Sequence, residues 1–161
     1  QTQRREFMVQ NQERILRDNR RISIQMEQWV NGALAPWGLT SAQAQILLYV
    51  LRHSDQGTSL TQIHQEFGYS MAALSSILKR LKEKGYVRVE HWDGDERRKL
   101  LFATQAAEAL EQHLERCGRQ VHQRLYRCFS PQELADLDRL QRKLLDNLSA
   151  LNQQAKEEPT F

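Results

Sequence analysis

The sequence predicts a mainly α fold that contains one short β-hairpin. Apolar residues recur at helical spacing along most of the 161-residue chain. Ser or Thr stands immediately before several of these helical patterns, where its hydroxyl group can cap a helix. One segment differs: YVRVEHWDGDERRKLLFA, residues 86–103, has two apolar strand-like runs around a turn centred on Gly94, which is typical of a hairpin.

Length, charge and cysteine content limit the class of protein. A chain of this size suits one well-cored domain, or a small domain with an added assembly element. The formal net charge of +3 does not by itself indicate a polyanionic partner, so a basic site must come from local clustering. There is no apolar run typical of a secretory signal or a membrane span. Because the two cysteines also fit a reducing compartment, we expect a soluble cytoplasmic protein.

The first three helices are predicted from apolar periodicity and capping residues. A long first helix carries one apolar stripe, formed by Ile15, Ile22, Met26, Trp29 and Ala33. Thr40 and Gln43 form a capping-box pattern before the second helix. The apolar face of that helix consists of Ile46, Leu47, Val50 and Leu51. SLTQ at 59–62 repeats the capping pattern before a short third helix, which Gly68 is placed to end.

A fourth helix is predicted to begin after Ser70 and to stop at Gly85. Its apolar residues are Leu74, Ile77, Leu78 and Leu81. These share one face, which must pack on the core. The outward face therefore consists of Ala72, Ala73, Ser75, Ser76, Lys79, Arg80 and Glu83. Its first half carries only methyl and hydroxyl groups and its middle carries two cations, so this face suits close approach to a polyanion.

Two short helices followed by a two-stranded hairpin make a winged helix-turn-helix. The sequence places this domain at residues 39–103, with a recognition helix at 71–84 and a wing at 86–103.

The segments on either side of that domain predict dimerisation helices, at residues 1–38 and 104–161. Thr104 caps a fifth helix, and SPQE at 130–133 combines a capping Ser, a Pro at the first helical position and a Glu at the third. A stripe of leucines follows: Leu134, Leu137, Leu140, Leu144, Leu148 and Leu151. A small core cannot cover such long stripes, so we expect them to meet across a dimer axis. The residues assigned to that interface are Ile15, Ile22, Leu137, Leu144 and Leu148.

This order of segments resembles the MarR family of bacterial transcriptional regulators over nearly the whole chain. Asp95-Glu96-Arg97 matches the Asp-x-Arg signature of the family's wing, Thr104 stands where its threonine opens the next helix, and LKEKGYV matches its usual join between helix and wing. The family commonly has leucine before that threonine and glycine shortly after it, whereas this chain has Ala103 and then Gln-Ala-Ala. The resemblance implies a homodimer that binds a pseudo-palindromic operator in double-stranded DNA.

The residues expected to contact DNA are Ser70, Ala72, Ser75, Ser76, Lys79, Arg80, Asp95, Arg97, Arg98 and Lys99. In the wing, Arg97 would enter a minor groove, Asp95 would orient it, and Arg98 and Lys99 would bind flanking phosphates. The alternatives are a solvated basic helix face and a solvated turn with an incidental ion pair. A winged helix that binds a protein instead of DNA would present an apolar or acidic outward face, and this one is small and basic.

Other polar and aromatic residues admit competing interpretations. Cys117 and Cys128 fall on the apolar stripe of the fifth helix, which favours buried structural thiols over a redox-sensing regulator. His113 and Cys117 have ligand spacing and His122 is near, but no acidic partner or second ligand pair is evident, so we expect neither metal nor cofactor.

Trp29 and Trp37 bracket the joint between the first two helices and suit core or interface positions. By analogy with the family, they also mark a crevice for a small aromatic or apolar acid that releases a repressor from DNA. No catalytic constellation is present in the sequence, so we do not expect an enzyme.

Overall fold

The computed structural model describes the backbone of residues 2–91 and 99–157 and the side chains of residues 8–91 and 99–156. The helices are α1 (Thr2–Leu34), α2 (Ser41–Arg52), α3 (Leu60–Phe67), α4 (Met71–Glu83), α5 (Gln105–Leu125) and α6 (Pro131–Glu157). A short 3-10 helix, Ala35–Trp37, follows α1, and strands β1 (Val87–His91) and β2 (Lys99–Ala103) form an antiparallel pair. The mainly α fold with one hairpin is confirmed.

Capping side chains fix where the helices begin. At α2, the Thr40 hydroxyl accepts from the Gln43 N–H, and the Gln43 side chain accepts from the Thr40 N–H, each at 3.2 Å. Ser59 and Gln62 repeat this reciprocal arrangement at α3. Ser130 and Glu133 do so at α6, where Pro131 is the first helical residue. The predicted helix starts are therefore confirmed, because each cap satisfies backbone groups that the first turn leaves unpaired.

The hydrophobic core is centred on the winged-helix part of the chain and includes residues of the flanking helices. Its fully buried large side chains include Leu34, Ile46, Leu47, Ile63, Leu74, Leu81 and Leu114. They come from the end of α1, from α2, α3 and α4, and from α5. Full burial of one such side chain contributes about 1.5–3 kcal/mol, so these few residues largely determine how the short helices pack.

The hairpin is joined to the core through its second strand. Val87 pairs with Ala103 and His91 with Lys99, which gives the register of the wing. Thr58, just before α3, forms two further backbone hydrogen bonds with Leu101, at 2.8 and 3.0 Å. The wing is therefore built on a backbone connection to the α2–α3 turn as well as on its own strand pairing.

Two compact units make up the chain, residues 1–121 and residues 122–161. The first contains the whole core cluster, from Leu34 to Leu114. In the second, α6 exposes a row of leucines: Leu140, Leu144, Leu145, Leu148 and Leu151. The functional division at residues 38 and 103 that the sequence predicts stays an interpretation.

Two predicted details differ from the structure. The recognition helix ends at Glu83, with Lys84 as its C-cap, one residue earlier than predicted. Helix α5 ends at Leu125, so Cys128 lies beyond it and is exposed in the single chain. The expectation of a buried thiol is therefore wrong for Cys128, because the apolar period continues past the point where the backbone leaves the helix. Among the described residues, no helix combines the length and apolarity that a bilayer span requires.

Candidate nucleic-acid interface

The start of α4 is held by a capping hydroxyl and by contacts of Tyr69, the residue before the cap. The Ser70 hydroxyl accepts from the Ala73 N–H at 3.1 Å. Just before it, the Tyr69 carbonyl lies 2.6 Å from His64 Nδ1, and the Tyr69 hydroxyl donates to Gln45 Oε1 at 3.2 Å. Burial, and then the negative charge of Glu27, raise the pKa of Tyr69, so its phenol stays a neutral donor. These contacts fix the position from which the helix starts.

Most of the predicted outward face of α4 is exposed in the structure, whereas Ala73, at its edge, is half-buried. Leu74, Leu78 and Leu81 are buried, with exposed fractions of 0, 8 and 0%. Because that side packs on the core, the other predicted outward residues lie in solvent: Ala72, Ser75, Ser76, Lys79, Arg80 and Glu83 are all exposed. The small side chains lie in the first half of the helix, where backbone N–H groups and the helix dipole favour an anion. The two cations follow in its middle, next to the small side chains.

A groove of about 320 Å³ separates α4 from the hairpin. Its apolar lining is Leu60, Leu78, Val87, Val89 and Leu101. Three lysines line it as well, Lys79 and Lys82 from α4 and Lys99 from β2. The structure thus brings Lys79 and Lys99, which the sequence placed in separate elements, to one groove. Lys82 is not among the predicted DNA contacts. Its position on the same side of the helix as Ser75 is the sequence feature that could have identified it.

Another wing residue that the sequence did not single out is Arg88. Its guanidinium lies over the Phe102 ring, 4.7 Å from the centroid, and forms an ion pair with Glu90. All three residues lie on the strand face opposite to the groove, because alternate residues of a strand point to opposite sides. The half-exposed Arg88 side chain is thus held on this second face of the wing, where the carboxylate of Glu90 offsets its charge. The alternation of strand residues between two faces is the sequence feature that could have identified Arg88.

The wing tip falls outside the described residues. Asp95, Arg97 and Arg98, all predicted to contact DNA, belong to the segment 92–98. Of the predicted wing contacts, the structure places Lys99, which is exposed and pairs with His91 at the end of the hairpin. The roles assigned to the other three stay predictions.

The two predicted effector-site tryptophans lie in different settings. Trp37 is half-buried in the 3-10 helix and packs against the core, with its ring centroid 5.8 Å from that of His113 in α5. Trp29 is 39% exposed on α1. The aromatic partner of Trp37 in the described part of the chain is therefore His113, and the crevice inferred from the two tryptophans stays a prediction.

The cysteines and histidines of α5 show no metal-ligand arrangement within the described ranges, since no group of three His, Cys, Asp or Glu side chains converges there. Cys117 is half-buried, and burial raises the pKa of its thiol. A raised pKa lowers the thiolate fraction at neutral pH, which favours a structural role for this residue over a reactive one.

Comparison with known proteins finds one sequence family and several solved structures that resemble this chain. Residues 37–98 match a sequence model described as the MarR family. No curated protein sequence matches the chain.

Solved structures of similar fold include the transcriptional regulator SlyA, with a TM-score of 0.77 at 20% identity, covering 84% of this chain and 94% of that one. A putative MarR family transcriptional regulator from Listeria monocytogenes, complexed with a 26mer DNA, has a TM-score of 0.78 at 19% identity, with coverages of 88 and 93%. The S. aureus MepR–DNA complex has a TM-score of 0.74 at 23% identity, with coverages of 80 and 93%. At these identities the structural likenesses establish the fold.

Proposed function

We propose that this chain, whose residues 37–98 match a sequence model of the MarR family, is a transcriptional regulator that binds a specific sequence in double-stranded DNA. Helix α4 enters the major groove, and the wing lies along the adjacent minor groove. Two of the similar structures, from Listeria monocytogenes and S. aureus, are complexes with DNA. The proposal extends that kind of partner to this chain.

The observation that carries the proposal is the outward face of α4. Buried leucines on one side leave Ala72, Ser75 and Ser76 exposed on the other, followed by Lys79 and Arg80. Small side chains let the helix come close to base edges, the hydroxyls can donate to bases or phosphates, and the cations attract the phosphate backbone. A protein-binding winged helix would instead gain from an apolar face at this position.

The wing extends the contact to flanking DNA. Lys99 lies on the groove beside Lys79, where both ammonium groups can reach phosphates. We assign Arg97 to the minor groove, Asp95 to its orientation and Arg98 to a phosphate, as the sequence predicts. Ser70 and Ala72 contribute to the interface where the first turn of α4 meets the DNA.

We further propose that the protein acts as a homodimer. Ile15 and Ile22 on α1 are 52 and 55% exposed in the single chain, and Leu144 and Leu148 on α6 are 43 and 53% exposed. Leu137 of the same stripe is half-buried. Exposed apolar rows of this length indicate an interface, since single-chain proteins seldom leave them in water.

The regulatory part of the proposal is a repressor that a small aromatic or apolar acid releases from DNA, with Trp29 and Trp37 near its binding site. This assignment depends on the family analogy and on the position of Trp37 beside the joint that ends α1. The proposal gives the chain no catalytic step, and it implies action in the cytoplasm, where bacterial operator DNA is found.

Selection of bound duplexes from random or genomic DNA, followed by titration at several salt concentrations, tests the DNA-binding function. We expect log affinity to fall linearly with log salt. Each cation that neutralises a phosphate contributes about 0.9 to the steepness of this line. Lys79→Met removes one such cation from each protomer, so it should reduce the slope of a dimer by about 1.8.

Lys143→Met is the matched control, because Lys143 is an exposed lysine on α6. We expect it to leave the slope unchanged. If no duplex is enriched, or if binding of the enriched duplex does not depend on salt, the protein is not a DNA-binding regulator and the protein-interaction alternative gains support.

A further inference from the structure

The C-terminal end of the recognition helix makes a polar contact with the joint between α1 and α2. Lys84, the C-cap of α4, donates a hydrogen bond from Nζ to the carbonyl oxygen of Gly38. Gly38 ends the 3-10 helix that follows α1, and 46 residues separate the two partners in sequence. The contact thus connects the helix proposed to read DNA with the last turn of the segment proposed to form the dimer.

The backbone on the lysine side of this contact is fixed. The Tyr86 N–H donates to the Leu81 carbonyl and the Gly85 N–H to the Lys82 carbonyl, both at 3.0 Å. This pair of bonds is the Schellman motif, and Gly85 adopts the left-handed conformation that it requires, with φ +76°. The Thr104 hydroxyl, at the start of α5, donates to the Gly85 carbonyl at 2.5 Å. Lys84 therefore projects from a helix end that has little conformational freedom.

The backbone on the glycine side is also fixed. Gly38 has φ +64°, and its N–H donates to the Ala35 carbonyl at 2.9 Å. Three residues later, the Ser41 N–H donates to the Asn31 side-chain oxygen at 2.6 Å, which links α2 to α1. A Cβ atom at residue 38 would lie 3.2 Å from Lys84 Nζ, so the ammonium group packs closely against this turn.

Lys84 lies at the edge of the outward face of α4, about 40° around the helix from Arg80, and its ammonium group is bonded to Gly38. At about 100° per residue, Lys84 is roughly 120° around the helix from Ala72 and about 20° from the half-buried Ile77. Lys79 is only about 20° from Ala72, on the outward face. The two lysines are therefore equal in charge but differ in direction, one toward the proposed DNA and one toward Gly38.

We propose that Lys84 is a positioning residue, one that sets the orientation of the recognition helix relative to the α1–α2 joint without touching DNA. The inference rests on the proposed DNA-binding function and adds a specific role for a residue that is not among the predicted DNA contacts. The ammonium is suited to it, because it places a positive charge at the negative, C-terminal end of the helix dipole while donating to the carbonyl. Loss of this bond lets the end of α4 shift, which weakens DNA binding by misplacing contacts made elsewhere on the helix.

The test compares Lys84→Met with Lys79→Met on the selected duplex, at a temperature where both variants are fully folded. We expect Lys84→Met to lower affinity about fivefold, the lower range of typical coupling between sites, while the salt slope stays that of the wild type. Lys79→Met should reduce the slope by about 1.8. Lys84→Arg should restore affinity, because a guanidinium can also donate to the Gly38 carbonyl.

Amide hydrogen exchange without DNA supplies a second readout. We expect exchange to quicken in residues 37–40 in Lys84→Met but not in Lys79→Met. Unchanged affinity of Lys84→Met, unchanged exchange, or a slope reduced as in Lys79→Met would overturn the positioning role while leaving DNA binding intact. If the wild type itself enriches no duplex, the proposed function fails and this inference falls with it.

Discussion

At the scale of single residues, two glycines with the same backbone conformation provide a controlled comparison. Gly57 and Gly68 have φ of +73° and +72°. A Cβ at residue 57 would lie 2.6 Å from the Phe102 ring, whereas at residue 68 nothing lies within 4 Å. The Phe102 ring has little room to move, because Arg88 covers it and the neighbouring Leu101 is bonded to Thr58.

We predict that Gly68→Ala lowers the free energy of unfolding by about 1–2 kcal/mol, the cost of a left-handed non-glycine residue. Gly57→Ala should cost about 1–3 kcal/mol more, because the methyl group also overpacks the base of the wing. Urea unfolding of both variants at equal protein concentration measures the difference. Equal losses would show that the Phe102 ring moves aside freely.

Residue-level features were predictable from sequence where they depend on neighbours in the chain. Thr40, Ser59 and Ser130 cap helices through partners three residues away, so a short pattern contains the whole interaction. The Lys84–Gly38 bond and the Arg88–Phe102 stack join different elements. No local pattern contains both partners of such a contact, so only the tertiary structure reveals it.

At the scale of elements, periodicity predicted the type and the faces of the helices, because burial on one side imposes the 3.6-residue repeat. Leu74, Leu78 and Leu81 show this on α4. The end of α5 was less predictable. Cys128 continues the apolar spacing of the helix, but the chain must leave the helix after Leu125 to reach the Ser130 cap of α6. An apolar period therefore gives the face of a helix more reliably than its last residue.

The leucine row of α6 leads to a prediction about assembly. Leu144 is 43% exposed, and Gln153, which is also exposed, lies about 180° around the same helix. Leu144→Asp would place a charge in the proposed apolar interface, where it loses hydration without gaining a partner, so we expect monomers that bind DNA poorly. Gln153→Asp introduces the same side chain on the opposite face and should remain dimeric.

Light scattering at micromolar protein concentration distinguishes these outcomes. A monomeric wild type, or a dimeric Leu144→Asp, would contradict the assignment of this row to the dimer interface.

At the scale of the whole molecule, the sequence predicted a mismatch between apolar surface and core. The core cluster runs from Leu34 to Leu114, within the first compact unit. The α6 leucines remain exposed in the single chain, as do Ile15 and Ile22 of α1. The number of apolar stripes in the sequence thus predicted more apolar surface than one core can bury. The groove between α4 and the hairpin, which Lys79 and Lys99 share, was not predictable in this way, because it forms only in the tertiary structure.

A two-fold dimer makes a prediction about the DNA that it selects. Each protomer supplies one recognition helix, so the enriched sequences should contain two inverted half-sites with centres about 10–10.5 base pairs apart, or a multiple of that spacing. Insertion of about five base pairs between them turns the half-sites to opposite faces of the duplex, so that one dimer can no longer engage both. We expect affinity for this duplex to fall to that measured for an isolated half-site. Titration of the enriched duplex, the duplex with the insertion and the isolated half-site at one salt concentration makes the comparison. An asymmetric consensus sequence, or an affinity that the insertion leaves unchanged, would show that the protein does not read DNA as a symmetric dimer.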